Sequence, residues 1–202
     1  MTKQKIDIKK AIRNHINISI STIKQIESDL QDDIYAAVEL IMKAFSSGHK
    51  LLIAGNGGSA ADAQHIAAEF VVRLSKEFER PALPAIALST DSSILTAAGN
   101  DFGFNNIFQR QLEGLGCEND LFLAISTSGN SINLIKAVDY ARKNKIKTIG
   151  LLGNDGGKLK SEVDIYIIVN STITQHIQEA HLCIYHIICE LVEKNFIPQN
   201  QN

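Results

Sequence analysis

The segment LLIAGNGGS, residues 51–59, passes from four apolar residues directly into a glycine-rich turn. A helical pattern follows it as far as about Arg73, and a short apolar run of this kind is typical of a strand covered on both faces of a parallel sheet. Similar runs alternate with helical segments along the chain: AIAL (85–88), LFLAI (121–125), TIGLL (148–152) and DIYIIV (164–169). The alternation predicts an α/β fold, a doubly wound five-stranded parallel sheet with helices on both faces.

Two helices are predicted before the first strand, outside this alternation. Isoleucines recur at helical spacing over residues 6–28, which predicts a helix with an apolar stripe. A second helix is expected from Asp32, as its N-cap, to Ser47. We interpret the chain as a single domain, with a helical pair over residues 1–48 and an α/β sandwich over residues 49–202. Because the apolar stripe of the first helix needs a covering surface, we expect it to pack on other copies of the chain as a tetramer.

The composition excludes several classes of protein. The chain has 202 residues, of which 45% are hydrophobic and 21% charged, and its net charge is -2, so neither disorder nor binding to nucleic acid or an anionic membrane is indicated. No apolar run approaches the ~18 residues of a spanning helix, and the start MTKQKIDIKK lacks the apolar centre of a signal peptide. Three widely spaced cysteines argue against a disulfide framework and favour a reducing, cytoplasmic location.

Polar, glycine-rich segments follow three predicted strands, at the sheet edge where doubly wound folds bind ligands. STSGNS, residues 126–131, opens a helix, and its hydroxyls and free N–H groups are suited to a phosphate, although a simple capped turn is equally consistent with the sequence. Residues 55–59 allow the same two interpretations, whereas residues 153–157 are expected to form a structural turn. Residues 99–101 are expected in a loop, where Asp101 would bind sugar hydroxyls or cap the next helix.

His65 and Glu69 lie four residues apart on the helix after the first glycine-rich turn, so they share one face. Such a pair can bind a metal ion or act as acid and base, and a solvent-exposed ion pair is the alternative. The apolar neighbours Ile66 and Phe70 indicate a largely buried helix and therefore favour a functional pair.

The last predicted helix carries further candidates among apolar residues. Gln178 and His181 are three residues apart, and Gln178 and His186 are eight apart, about 12 Å along a helix. This spacing does not choose between the two histidines, and it leaves room for a ligand from a neighbouring subunit. His15 and His49 are expected at the surface.

Five longer segments together resemble the phosphoheptose isomerases, a family with the sugar isomerase (SIS) fold: GNGGSAADAQHIAAEF, RPALPAIALSTD, GNDFGFNNIFQRQLE, AISTSGNS and IQEAHLCIYHIICELVE. The resemblance extends over nearly the whole chain. It implies an aldose–ketose isomerase that converts sedoheptulose 7-phosphate to D-glycero-D-manno-heptose 7-phosphate, the first step toward the ADP-heptose of lipopolysaccharide core. It also implies a homotetramer with active sites at subunit interfaces.

The resemblance assigns roles to individual residues. One zinc ion per subunit is expected on His65, Glu69, Gln178 and His186. Substrate contacts are expected, in addition to Glu69, from the polar residues of the loops and the last helix: Asn56, Gly57, Gly58, Asn100, Asp101, Ser126, Thr127, Ser128, Ser131 and Gln178. The family often has Arg two residues before the glutamine ligand, where this chain has His176.

For the isomerase we expect Glu69 to be the base at carbon and His186 the acid and base at oxygen. Two alternatives belong to other classes of function: a non-catalytic SIS paralogue that binds the replication initiator, and a regulatory module that senses a sugar phosphate. Neither needs an acid–base pair. The presence of both Glu69 and His186 therefore favours the enzyme.

Overall fold

The computed structural model describes residues 6–198 of the chain. Five parallel strands form one sheet in the order β2-β1-β3-β4-β5, an order common in doubly wound folds. The α/β fold and its five-stranded parallel sheet are therefore confirmed. The strands are β1 (Leu51–Gly55), β2 (Ala85–Ala87), β3 (Leu121–Ser126), β4 (Lys147–Gly153) and β5 (Ile165–Val169).

Successive residues of each central strand point to opposite faces of the sheet, so each strand contributes to two cores. Leu51 and Ile53 of β1 face one core, and Leu52 and Ala54 face the other. The first core contains α2, α3 and α7, and the second contains α5 and α6. The helices are α1 (Ile8–Asp29), α2 (Gln31–Ser46), α3 (Gly58–Val71), α4 (Ser92–Phe102), α5 (Ile107–Leu115), α6 (Ile132–Lys143) and α7 (Thr174–Asn195).

Two boundaries differ from the sequence-based expectation. Helix α2 begins at Gln31 after Leu30, so Asp32 is not the N-cap but lies in the first turn, where the helix dipole favours a carboxylate. Leu30 is the only residue between α1 and α2, and its side chain is buried in the first core.

The predicted site residues Asn100 and Asp101 lie in the last turn of α4 rather than in a loop, because the helix continues until Gly103, whose φ of +80° ends it.

Helix α1 exposes most of its apolar residues in the single chain. Within the helix only Thr22 and Ile26 are buried, whereas Ile8, Ile12 and Ile16 are at least half exposed.

Among the helices described between residues 6 and 198, none has both the length and the apolar character required to span a membrane.

A buried ion pair joins the end of α3 to α7. Arg80 and Glu193 are each 1% exposed at the side chain, and Arg80 Nη2 lies 2.8 Å from Glu193 Oε2. Arg80 also donates to the carbonyls of Glu69 and Phe70, at 2.7 and 2.8 Å, which are among the carbonyls that the end of a helix leaves free. The backbone N–H groups of residues 74 and 75 donate to the Glu193 carboxylate at 2.9 Å. Each charge is therefore paired and hydrogen-bonded, as burial requires.

We expect Arg80→Ala to lower the free energy of unfolding by about 3–5 kcal/mol, because it leaves Glu193 charged and buried without its partner. Urea unfolding at fixed protein concentration measures the change. The control is Arg142→Ala, which removes an exposed pair with Glu162 and should cost about 1 kcal/mol or less. Equal losses in the two variants would contradict the structural role of the buried pair.

Candidate active site

The ends of β1 and β3 lie side by side, because Gly55 pairs with Ile125 at the carboxyl edge of the sheet. Strand order reverses here, which is the usual place for a ligand in a doubly wound fold. The loop after β1 leads into α3 and the loop after β3 leads into α6. Asn56 and Asn133 join the two loops by a reciprocal pair of amide hydrogen bonds of 3.0 and 2.8 Å.

Asn133 was not a candidate in the sequence, because it lies inside a predicted helix. It is fully buried in the first turn of α6, and its carboxamide oxygen also accepts from the N–H of Leu134 at 3.0 Å. A polar residue among the apolar positions of a helix that follows a ligand-binding loop is the signal that would have identified it. Its bond to Asn56 holds the two loops at a fixed separation.

The hydroxyls of the β3 loop converge at the beginning of α6. Ser126 Oγ accepts from the N–H of Gly129 at 3.1 Å and lies 3.3 Å from Ser131 Oγ. Ser131 occupies the N-cap position, but its side chain makes no capping hydrogen bond. The Ser131 hydroxyl is therefore available to a ligand at a helix N-terminus, where the dipole and free N–H groups favour an anion.

The turn after β4 packs against the loop after β3. Gly129 has a φ of +63°, and a Cβ there would lie 1.9 Å from the carbonyl oxygen of Gly156. The N–H of Leu159 donates to the Gly129 carbonyl at 3.0 Å, and that of Lys158 donates to Asn130 Oδ1 at 3.1 Å. Residues 153–157 thus form a structural turn, as expected, and this turn also holds the β3 loop in place.

Gln178 lies at the loop end of the site. A Cβ on Gly58 would lie 2.3 Å from Gln178 Nε2, so the glutamine side chain packs directly against the first turn of α3. His65 is seven residues further along α3, about 10 Å at the rise of a helix. In the described chain the Gln178 amide is thus placed beside Gly58, about two turns of α3 away from His65.

His65 and Glu69 of α3 meet His186 of α7 in a half-buried cluster. His65 Nε2 lies 2.9 Å from Glu69 Oε1, and the rings of His65 and His186 are 5.0 Å apart. One ligand atom from each of the three residues lies within 4.8 Å of the other two. Two imidazoles and a carboxylate form a donor set typical of zinc with an open fourth position. The residues present therefore fit that ion.

Tyr185 and Asp62 lie behind the cluster, and neither was a candidate in the sequence. The buried Tyr185 hydroxyl is 2.9 Å from His65 Nδ1, the nitrogen that faces away from Glu69. Burial raises the pKa of Asp62 to about 6, against the opposing effects of His65 and Tyr185. A hydrogen bond to the second ring nitrogen fixes the orientation and tautomer of a histidine, so Tyr185 positions His65.

The structure separates the two histidines of α7. His181 is fully buried, and its Nε2–H donates to the carbonyl of Leu152 at 2.9 Å. Burial lowers the pKa of His181 to about 4, so it is a neutral core residue. His186 joins His65 and Glu69 instead. Burial, and in second place the neighbouring His65, lower its pKa, while Glu69 opposes the change.

Asn100 and Asp101 are exposed at the end of α4. Asn100 Nδ2 donates to Asp101 Oδ1 at 2.7 Å, so this hydrogen bond joins the two side chains to each other. Asp101 does not cap the short helix that follows, in which Gly103 takes the N-cap position. Both side chains remain accessible to a ligand.

The comparisons with known proteins agree with this geometry. The SIS domain family matches residues 15–153. The chain is 49% identical over 196 residues to the phosphoheptose isomerase of Citrifermentans bemidjiense, covering 97% of this chain and 99% of that protein. It is 51% identical over 176 residues to the phosphoheptose isomerase of Geobacter sulfurreducens, covering 87% of this chain and 92% of that protein.

Solved structures of phosphoheptose isomerases also superpose on this chain. The phosphoheptose isomerase of Neisseria gonorrhoeae superposes with a TM-score of 0.86 at 38% identity, covering 93% of this chain and 99% of the other. The phosphoheptose isomerase of Francisella tularensis superposes with a TM-score of 0.87 at 33% identity, covering 94% of this chain and 100% of the other. With the SIS fold, the loops at the strand ends and the His–Glu–His cluster in place, the chain belongs to the phosphoheptose isomerase family and is an isomerase.

Proposed function

We propose that this protein isomerises sedoheptulose 7-phosphate to D-glycero-D-manno-heptose 7-phosphate in the cytoplasm, as the first step toward the ADP-heptose of lipopolysaccharide core. The observation that carries the proposal is the cluster of Glu69, His65 and His186 on the two helices beside the strand-end loops. A sugar-phosphate isomerase needs an anion site and a proton-transfer pair, and the described residues offer both. A binding module would need only the first.

The phosphate is assigned to the loop after β3. The hydroxyls of Ser126, Thr127, Ser128 and Ser131, with the N-terminus of α6, would bind its oxygens. The remaining sugar hydroxyls are assigned to exposed or half-buried residues around the loop after β1 and the end of α4: Asn56, Gly57, Gly58, Asn100, Asp101 and Gln178.

Isomerisation transfers one proton between carbons and one between oxygens. The Glu69 carboxylate would remove the proton from C1 of the ketose, giving an enediol, and return it to C2. His186 would donate a proton to the oxygen on C2 and accept one from the oxygen on C1, which becomes the aldehyde. The lowered pKa of His186 supports this role, because a neutral imidazole can accept and donate in turn.

Zinc is the metal proposed for the cluster, held by His65, Glu69 and His186, with Gln178 as the fourth ligand. When bound, it would polarise a carbonyl oxygen and fix the orientation of its ligands. The Gln178 amide lies against Gly58 in the described chain, so a change of its rotamer, or the same residue of a neighbouring subunit, would have to complete the set.

A homotetramer with active sites between subunits is the proposed assembly. The exposed isoleucines of α1 support it, since an apolar helix face of this length needs a covering surface. A largely apolar groove of about 500 Å³ lies between α1, α2 and α7, with Ile23, Tyr35 and Leu191 in its lining. Its position beside α7 is consistent with an interface near the site.

We expect Glu69→Gln to reduce kcat by ~10² to 10⁴-fold, because the amide keeps the shape of the side chain but cannot act as a base. His186→Ala should have a similar effect, with loss of metal. Product formation from sedoheptulose 7-phosphate measures turnover, and calorimetry measures binding to the same folded protein. The matched control is Glu190→Gln, an exposed position on α7.

Wild-type turnover in both variants would contradict the acid–base assignment. A wild-type protein that binds sedoheptulose 7-phosphate and never isomerises it would instead be a sugar-phosphate-binding module. Parallel assays with and without a chelator show whether turnover depends on the metal.

We expect Ser131→Ala to raise KM for the sugar phosphate about tenfold or more, since a hydrogen bond to a charged group contributes about 1.5–3 kcal/mol. The Ser131 side chain does not cap α6, so the variant should keep its stability. Steady-state kinetics and thermal unfolding measure the two quantities, and Ser28→Ala on exposed α1 is the control. An unchanged KM would mean that the loop is a structural turn and that Ser131 does not bind the phosphate.

We expect the double substitution Ile12→Glu and Ile16→Glu to dissociate the tetramer, because it places charges on the face that the assembly would bury. Light scattering at micromolar concentration measures the mass. Lys9→Glu, on an exposed position of the same helix, controls for the added charge. A monomeric wild-type protein would refute the assembly.

A further inference from the structure

A second cluster of potential metal ligands lies where α1 meets the first turns of α7. His15 Nε2 is 3.0 Å from Glu179 Oε1, and His176 Nδ1 is 2.9 Å from Glu179 Oε2. One ligand atom from each of these three residues lies within 4.8 Å of the other two. The cluster shares no residue with the His65, Glu69 and His186 site.

Two of the three side chains are held in place by the protein itself. His176 and Glu179 are three residues apart on one face of α7, and His176 is only 2% exposed. Ser19 of α1 donates from its hydroxyl to Glu179 Oε2 at 2.5 Å, and Ser19 Oγ also lies 3.0 Å from His176 Nδ1. The buried ring and the carboxylate are thus preorganised.

His15 closes the cluster on the solvent side. Its side chain is 47% exposed, and its ring lies 4.4 Å from the His176 ring at an angle of 53°. The Glu179 side chain is also 36% exposed, so solvent reaches the cluster from this side and could supply a fourth ligand. Tetrahedral zinc with bonds of about 2.0–2.2 Å needs roughly 3.3 Å between ligand atoms. The 2.9 and 3.0 Å separations end on the two different oxygens of Glu179, and the three ligand atoms lie within 4.8 Å of one another, so binding an ion requires a local adjustment of the side chains.

We propose that His15, His176 and Glu179 form a second site for a divalent first-row transition ion such as Zn²⁺. Two imidazoles and one carboxylate, without sulfur, suit that class of ion. At position 176 the histidine supplies a ring nitrogen to the cluster. An arginine can pair with Glu179 but offers no lone pair to a cation, so the site depends on this position.

An ion at this site would fasten the N-terminal half of α1 to α7. Within α1 only Thr22 and Ile26 are buried, and both lie toward the other end of the helix. The ion would therefore stabilise a segment that otherwise has few buried contacts. His176 and Glu179 also flank Gln178, so the ion would hold the turn that carries this proposed active-site residue.

The test counts zinc ions. Chelator-stripped protein is dialysed against Zn²⁺, and bound zinc per chain is measured by elemental analysis. We expect His176→Arg and His15→Ala each to bind one zinc ion fewer per chain than the wild type. His49→Ala, which removes a histidine outside both clusters, should bind the same amount as the wild type.

A second measurement isolates the site. In a His65→Ala, His186→Ala background, Zn²⁺ should still raise Tm, and adding His176→Arg should abolish that increase. Zinc binding that is unchanged in both His176→Arg and His15→Ala would overturn the proposal, and so would a background variant that binds no zinc. If only the background variant misfolds, the comparison of wild type with His176→Arg decides. A His176→Arg protein that binds no zinc at all would have lost the site at His65, Glu69 and His186 as well. This outcome differs from the expected loss of one ion per chain.

Discussion

The packing of α3 against α7 is the constraint on which the candidate active site depends. His65 and Glu69 come from one helix and His186 from the other, so their meeting requires a fixed crossing of the two. The buried Arg80–Glu193 pair fixes the end of that crossing, because Arg80 binds both the last carbonyls of α3 and a carboxylate of α7. Burying these charges costs stability unless every partner is present, so an arrangement of the two helices that separates Arg80 from Glu193 is disfavoured.

The sheet supplies the second half of the site by bringing its loops together. Gly55 and Ile125 end adjacent strands at one edge, and the amide pair of Asn56 and Asn133 holds the loops that follow. The cluster on the helices therefore lies below a polar loop region whose width is set by backbone pairing. In the proposed function, the phosphate at the β3 loop and the proton transfer at the cluster would therefore take place at positions that the sheet and its helices hold relative to each other.

The sequence predicted the sheet and most helices, because continuous apolar runs between glycine-rich turns have few other solutions. It did not identify Tyr185, Asn133 or the Arg80 pair, since their partners lie far away in the chain. The choice between His181 and His186 shows the same limit. At about 100° per residue, the two lie about 60° and 80° from Gln178 in opposite directions around α7, so only the position of α3 decides which one reaches Glu69.

The close backbone contact between Gly129 and Gly156 also has an evolutionary meaning. A Cβ on Gly129 would lie 1.9 Å from the Gly156 carbonyl oxygen, and one on Gly157 would lie 2.5 Å from the Ser128 carbonyl oxygen, so a side chain at Gly129 or Gly157 would push the β3 loop away from the β4 turn. The proposed phosphate end of the site is therefore closed to gradual variation in size. The end of α4 is exposed, and Asn100 and Asp101 bond to each other there, so a substitution at this end would meet less steric hindrance. Descendants of this chain that act on sugars of other lengths would be expected to differ there first.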